Sequence, residues 1–259
     1  MTWIDTHAHL FEDSFQTDIN QVIDRSLVQG VEKIYMPNLS YQSFEDMWSL
    51  SQKYPKICFP CIGIHPCYVG KDYAKDLENL WKKKDPKSYL AVGEIGLDSY
   101  SAKESLPQQI EAFHMQCKWA LSHKLPVLLH SRGEGILQIL IDSIAQNYPK
   151  LQGVFHCFLG SPAQAQQIRD MGFLLGIGGM LSYTHGKELR NMLSPDLLES
   201  IVLETDAPYL PPSGAPARRN EPANIPLIAK QIAKRTQIPI EEIAKITTQN
   251  AEKLFQKKV

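Results

Sequence analysis

Short runs of apolar and β-branched residues recur along this chain at about 3–7, 31–37, 57–64, 89–95, 125–130, 153–158, 173–178 and 201–206, with helical periodicity between them. Eight alternations of this kind fit few architectures. Over 259 residues, with no Pro/Gly/Ser-rich linker between halves, they predict an α/β fold: one (β/α)₈ TIM barrel occupying residues 1–259 as a single domain. A doubly wound open sheet competes, but no G-x-G-x-x-G follows an early strand. In "LPQQIEAFHMQCKWALSHK" a stripe of Ile110, Phe113, Cys117, Ala120 and Leu121 predicts a helix over 106–124. Ser161, Pro162 and Gly172 read as the N-cap, first residue and terminator of another. Two more helices are expected at about 224–236 and 239–257, and the Pro-rich stretch 209–226 reads as a barrel-rim loop.

A barrel places its functional residues at the C-terminal ends of the strands, where the βα loops meet. "WIDTHAHL" ends the first strand with His7 and His9, two residues apart and so on one strand face, with Asp5 a step earlier. His65 follows the third strand, Glu94 lies on the fourth, His130 and Arg132 end the fifth, His156 ends the sixth, and Glu204 and Asp206 end the eighth. Singly, each is compatible with a hydrogen-bonded structural role. Jointly, six strands deliver imidazoles and carboxylates to one end of an apolar barrel, where unpaired burial is costly. A divalent cation offsets that cost. His114, His123 and His185 lie elsewhere and read as structural or solvated. Cys58 and Cys61, at odd spacing in a strand, point to opposite faces and do not form a metal clip.

The formal net charge of −1 excludes a large basic surface, so nucleic-acid contacts are expected to be local. Five scattered cysteines suit reduced thiols. No apolar run reaches membrane-spanning length, and a cleaved leader would remove the first strand. The expectation is a cytoplasmic protein, without membrane association or an evident obligate protein partner, whose first residue is Met1. No P-loop and no G-x-S-x-G elbow is present.

Taken together, "DTHAHL", "GIHP", "GEIGLD", "HSR", "FHCF" and "LETDAPYL" followed by "RRNEP" resemble the TatD family of metal-dependent deoxyribonucleases, within the amidohydrolase superfamily. The resemblance runs from residue 3 to about 250. It implies two divalent ions: one held by His7, His9 and Asp206, the second by His130 and His156, with Glu94 bridging both. Zinc, magnesium, manganese and nickel all suit some part of this ligand set. It further implies hydrolysis of a phosphodiester of DNA or another nucleic acid by metal-activated water, with Asp206 and Glu94 as catalytic groups and Asp206 orienting or deprotonating the water. His65 and Arg132 are expected to bind phosphate oxygens, although Arg132 is equally compatible with a rim ion pair. Glu204 reads as a support behind a ligand. Tyr100, Tyr183 and Tyr209 could stack on a base or cap the barrel, and Arg218 and Arg219 could touch phosphate or tie down the last loop. Short or single-stranded substrates are favoured. The alternative is an amidohydrolase or deacylase attacking an amide or ester. Ser99, where the family often carries an aromatic, the absence of an aspartate after Arg132, and "LLGIGGMLSYTHGKE" depart from the common pattern around the substrate, leaving the ligand positions intact.

Overall fold

A computed structural model describes residues 1–256. Its strands are β1 (Trp3–Asp5), β2 (Val31–Pro37), β3 (Cys58–Cys61), β4 (Val92–Asp98), β5 (Val127–Arg132), β6 (Gly153–Phe155), β7 (Leu174–Ile177) and β8 (Ile201–Leu203). All the neighbouring pairs are parallel, in ladders β1-β2-β3 and β4-β5-β6-β7-β8. Two narrow seams close them into a barrel. An Ile62–Val92 bridge joins β3 to β4, and an Ala8–Ala207 bridge joins β8 back to β1. At the second seam Thr6 N donates to Leu203 O at 3.0 Å, Asp206 N to His7 O at 2.8 Å and His9 N to Ala207 O at 2.7 Å. The barrel therefore closes through the same residues that the sequence singles out.

The helices α1 (Ile19–Val28), α2 (Phe44–Lys53), α3 (Tyr73–Trp81), α4 (Leu106–His123), α5 (Ile136–Asn147), α6 (Pro162–Asp170), α7 (Lys187–Met192), α8 (Pro195–Leu198), α9 (Ile225–Thr236) and α10 (Ile240–Phe255) surround the strands. Strand alternation divides the core in two. Trp3, Ile34, Met36, Leu129, Phe155, Ile201 and Leu203 join the large cluster shared with the helices. Their neighbours Ile4, Tyr35, Cys61, Leu128, Val154 and Val202 form a smaller one inside the barrel, closed by Phe255, whose ring lies 4.7 Å from that of Tyr35. Cys58 and Cys61 fall in different clusters, as their spacing requires. Among the described residues no helix is long and apolar enough to cross a membrane.

Element boundaries shift where the chain turns toward the site. β1, β3, β6 and β8 stop before the expected ends, whereas β4 and β5 run on to Asp98 and Arg132. Cys157 and Asp206, just past β6 and β8, take left-handed backbone conformations (φ 47° and 57°) that break the ladders and re-aim the chain. Gly96 in β4 (φ 143°) allows a close backbone approach: a Cβ there would stand 2.0 Å from the His130 carbonyl oxygen. Ser161 caps α6 in a full capping box with Gln164, with Pro162 at the start and Gly172 (φ 77°) past the end. α4 corrects the expected stripe. Ile110 is 38% exposed, and the buried face instead carries Gln109 and Gln116 beside Ala112, Phe113, Cys117 and Ala120. The helix expected at 239–257 spans Ile240–Phe255, and residue 257 lies outside the described residues.

Candidate metal centre

The two histidines that follow β1 approach each other closely, with 3.2 Å between their Nε2 atoms. They lie beyond the regular strand, yet keep the shared face that their spacing predicts. Asp5 does not join them. Its carboxylate is turned away, accepting from His7 N at 3.2 Å, Thr205 N at 3.0 Å and Thr205 Oγ1 at 2.5 Å. Burial outweighs those bonds and pushes the Asp5 carboxyl up to about 7.

Glu94 occupies the centre and divides its oxygens. Oε2 lies 3.2 Å from His7 Nε2 and 3.4 Å from His9 Nε2. Oε1 lies 2.9 Å from both His130 Nδ1 and His156 Nε2, and 3.5 Å from His65 Nε2. Asp206 Oδ1 adds a carboxylate on the first side, 3.8 Å from His7 Nε2 and 3.5 Å from His9 Nε2. Three ligand-sized groupings result: His7–His9–Glu94, His7–His156–Asp206 and His65–Glu94–His130. His7, His9, Glu94, His130, His156 and Asp206 thus converge, and His65 stands beside them.

What lies behind each ring assigns its tautomer. His9 Nδ1 faces the Pro37 carbonyl at 3.1 Å, so it carries the proton and leaves Nε2 as a lone pair toward the centre. His130 is reversed end for end: Nε2 faces Asp98 Oδ2 at 3.1 Å, leaving Nδ1 toward Glu94. The group behind His156 is also an acceptor. Glu204 Oε1 lies 3.5 Å from Nδ1 without completing a hydrogen bond, and takes Cys157 N at 2.5 Å. Gly176 makes room for Glu204, since a Cβ there would meet its Oε2 at 2.2 Å. His7 Nδ1 has no partner among the described residues. His65 alone has a donor behind it. Cys67 N donates to His65 Nδ1 at 3.1 Å, which places the ring proton on Nε2, pointing inward.

The electrostatics call for positive charge. Burial opposes protonation of His9, but hydrogen bonds to Asp206 and Glu94 outweigh it and push the ring up to about 10. Burial likewise opposes charge on His130 and His156, yet the facing carboxylates raise both. Burial would raise Glu94 and Asp206, and the imidazoles hold both below the usual carboxylate range. Cations occupying this cluster would replace those protons. Converging imidazole nitrogens and carboxylate oxygens are a donor set that divalent metals accept. His65 differs again, because burial lowers it to about 3 and keeps it neutral.

A cavity of about 680 Å³ opens over this cluster. Its walls include Leu39, Leu137, Leu159, Met180 and Leu210, and Arg132 is the one Lys or Arg lining it among the described residues. Arg132 lies over the exposed Tyr100 ring at 4.4 Å and makes no ion pair among the described residues. The rim-pair reading of Arg132 therefore fails. Tyr209 and Tyr183 are tied back, the former through its hydroxyl to Glu12, the latter by donating to Pro211 O at 2.9 Å. Arg219 is committed to structure: its guanidinium forks onto Asp18 at 2.7 Å and lies over Phe15 at 4.5 Å, while Arg218 is exposed. His114 bonds Tyr148 Oη at 2.7 Å, His123 bonds Trp119 O at 2.9 Å, and His185 is exposed.

Three residues escape a reading of the sequence. Asp98 backs His130. Gln109 accepts from Asp98 N at 2.8 Å and donates to its carbonyl at 3.1 Å. Two turns further along the same helix face, Gln116 accepts from Ile64 N at 2.8 Å and donates to Ile64 O at 3.2 Å, fixing the chain beside His65. The available signal was two glutamines seven apart among apolar residues of α4.

A closed (β/α)₈ barrel with a buried histidine–carboxylate cluster at its C-terminal mouth fits the class of metal-dependent hydrolases. More specifically, the chain belongs to the TatD family, matching TatD related DNase over residues 4–256. It is 32% identical over 253 residues to the uncharacterized metal-dependent hydrolase YabD of Bacillus subtilis (strain 168), covering 97% of this chain and 98% of that one. It is 30% identical over 259 residues to the 3'-5' ssDNA/RNA exonuclease TatD of Erwinia tasmaniensis, with 97% and 98% covered. The crystal structure of YjjV, a TatD homolog from Escherichia coli K12, matches with a TM-score of 0.89 at 29% identity over 98% of each chain.

Proposed function

We propose that this chain is a divalent-metal-dependent phosphodiesterase acting on single-stranded nucleic acid or its ends. His7, His9 and Asp206 would hold one ion and His130 and His156 a second, with Glu94 contributing an oxygen to each. The observation that carries this reading is the division of Glu94, one oxygen facing each set of imidazoles. Zinc, manganese, magnesium and nickel are the candidate ions. Bound there, such a pair supplies Lewis acidity and lowers the pKa of water near neutral pH.

The protein's own groups divide the remaining work. Asp206 lines the cavity, its backbone N bonded to His7 O and its side chain 16% exposed, so its carboxylate can orient the attacking water and take its proton. That proton is then available to the leaving oxygen as the phosphorus–oxygen bond breaks. The inward Nε2–H of neutral His65 donates to a non-bridging phosphate oxygen and keeps its donor state through the neutral range. Arg132 at the mouth supplies a charge-assisted fork to an adjacent phosphate. One cationic side chain suits a short or single-stranded substrate better than a duplex, in keeping with the name of the Erwinia relative. The apolar walls of the cavity favour, as a second reading, an ester or amide with an apolar group.

Metal-stripped protein refilled with magnesium, manganese or zinc should hydrolyse single-stranded DNA of defined ends, and Asp206→Asn should lose about 10²–10⁴-fold in kcat. Wild-type protein that is inert with each metal while holding its ions would overturn the phosphodiesterase reading and favour esters and amides.

A further inference from the structure

We propose that Asp98 is a positioning residue that couples the second cation site to the loop bearing Tyr100. The proposal rests on the two-cation reading above. Asp98 is 1% exposed at the end of β4, and its two carboxylate oxygens serve different masters. Oδ1 accepts from Tyr100 N at 2.9 Å and Ser101 N at 2.6 Å. Oδ2 faces His130 Nε2 at 3.1 Å and accepts from Cys67 Sγ at 3.4 Å. With its backbone clamped by Gln109 and Oδ1 held by two amides, the carboxylate cannot turn.

Two consequences follow. Because Oδ2 only accepts, His130 must carry its proton on Nε2 and present the Nδ1 lone pair beside Glu94. Because Oδ1 fixes Tyr100 and Ser101, it also sets the shelf on which the Arg132 guanidinium rests, 4.4 Å from the Tyr100 ring and 3.4 Å from Ser101 Oγ. With a cation held by His130, the Nε2–H would be a stronger donor, and Asp98 and the loop under Arg132 would be held more tightly.

The variant Asp98→Asn separates the two roles. The amides of Tyr100 and Ser101 require an oxygen, so the new amide turns its N–H₂ toward His130 and forces the ring proton onto Nδ1. Zinc titration of metal-stripped protein should show two tight ions in the wild type. In Asp98→Asn one ion should stay tight and the other should weaken about 10–100-fold. Hydrogen exchange at Tyr100 and Ser101 should stay protected in Asp98→Asn and lose protection in Asp98→Ala. In the wild type, independent of any variant, protection of these amides should rise as zinc is added to the metal-stripped protein.

Undiminished affinity of both sites in Asp98→Asn, or loop protection indifferent to zinc in the wild type, would overturn the coupling. A wild type that holds a single ion would instead overturn the two-cation reading. Asp98's role would then be upheld if Asp98→Asn weakens that ion and overturned if it does not.

Discussion

His65 and His130 stand with ring centroids 4.3 Å apart, both facing the same oxygen of Glu94, yet their rings are backed by opposite hydrogen-bonding groups. Behind His130 is a carboxylate, which takes the ring proton and leaves a lone pair inside. Behind His65 is the amide of Cys67, which supplies a proton and leaves an N–H inside. Distance to the centre does not distinguish the proposed metal ligand, His130, from the proposed substrate donor, His65. The group on the far side of the ring does, and that group is set by the end of β4 in one case and by the turn after Pro66 in the other.

The largest effect expected from breaking this contrast is at His130. His130→Asn should remove one bound zinc and lower kcat by about 10³-fold, consistent with loss of a metal's contribution to transition-state charge. His65→Asn, which keeps an N–H donor, should retain both ions and lose only about tenfold in kcat/KM. Equal metal loss in both variants, read by elemental analysis, would erase the distinction.

A second pair of side chains sharpens it at the mouth. Arg132 carries no counter-ion among the described residues, whereas Arg219 is spent on Asp18. Arg132→Ala should raise KM for single-stranded DNA by about tenfold with kcat largely kept, the signature of lost uniform binding. Arg219→Ala should leave KM alone and lower the unfolding temperature.

Within the support, Gln116→Ala strips Ile64 N of its partner in a buried setting and should cost about 1–3 kcal/mol in thermal unfolding, with a matching loss in the Gln109→Ala variant at Asp98. The smallest effect belongs to Asp18. Hydrogen bonds from Arg219 lower its carboxyl from 3.8 to about 2, so the folded state is favoured above pH 3.8 and loses that advantage as pH falls toward 2. Because the pair is partly exposed, the acid-sensitive difference between wild type and Asp18→Asn should stay below about 1 kcal/mol by denaturant titration.

The barrel was legible because its alternation is written in hydrophobic period, and the convergence of imidazoles and carboxylates was legible because they stand at the ends of those runs. Their supports were not. Asp98 sits in "GEIGLD", where nothing local marks it as facing His130 across the sheet, 32 residues on. The stripe of α4 misled at Ile110 because apolar spacing alone cannot show that Gln109 and Gln116 are buried to hold β-strand ends. Arg219 looked available for phosphate because its partner, Asp18, lies 201 residues earlier in the chain. Polar pairing across long separations is the information that periodicity does not carry.

Glu94 is proposed to serve two cations at once. The most direct measurement is electron paramagnetic resonance of metal-stripped protein titrated with manganese(II). Such a role for Glu94 predicts an exchange-coupled pair appearing by the second equivalent, and its replacement by uncoupled ions in Glu94→Gln. Saturation at one equivalent, or two ions without coupling in the wild type, would contradict it.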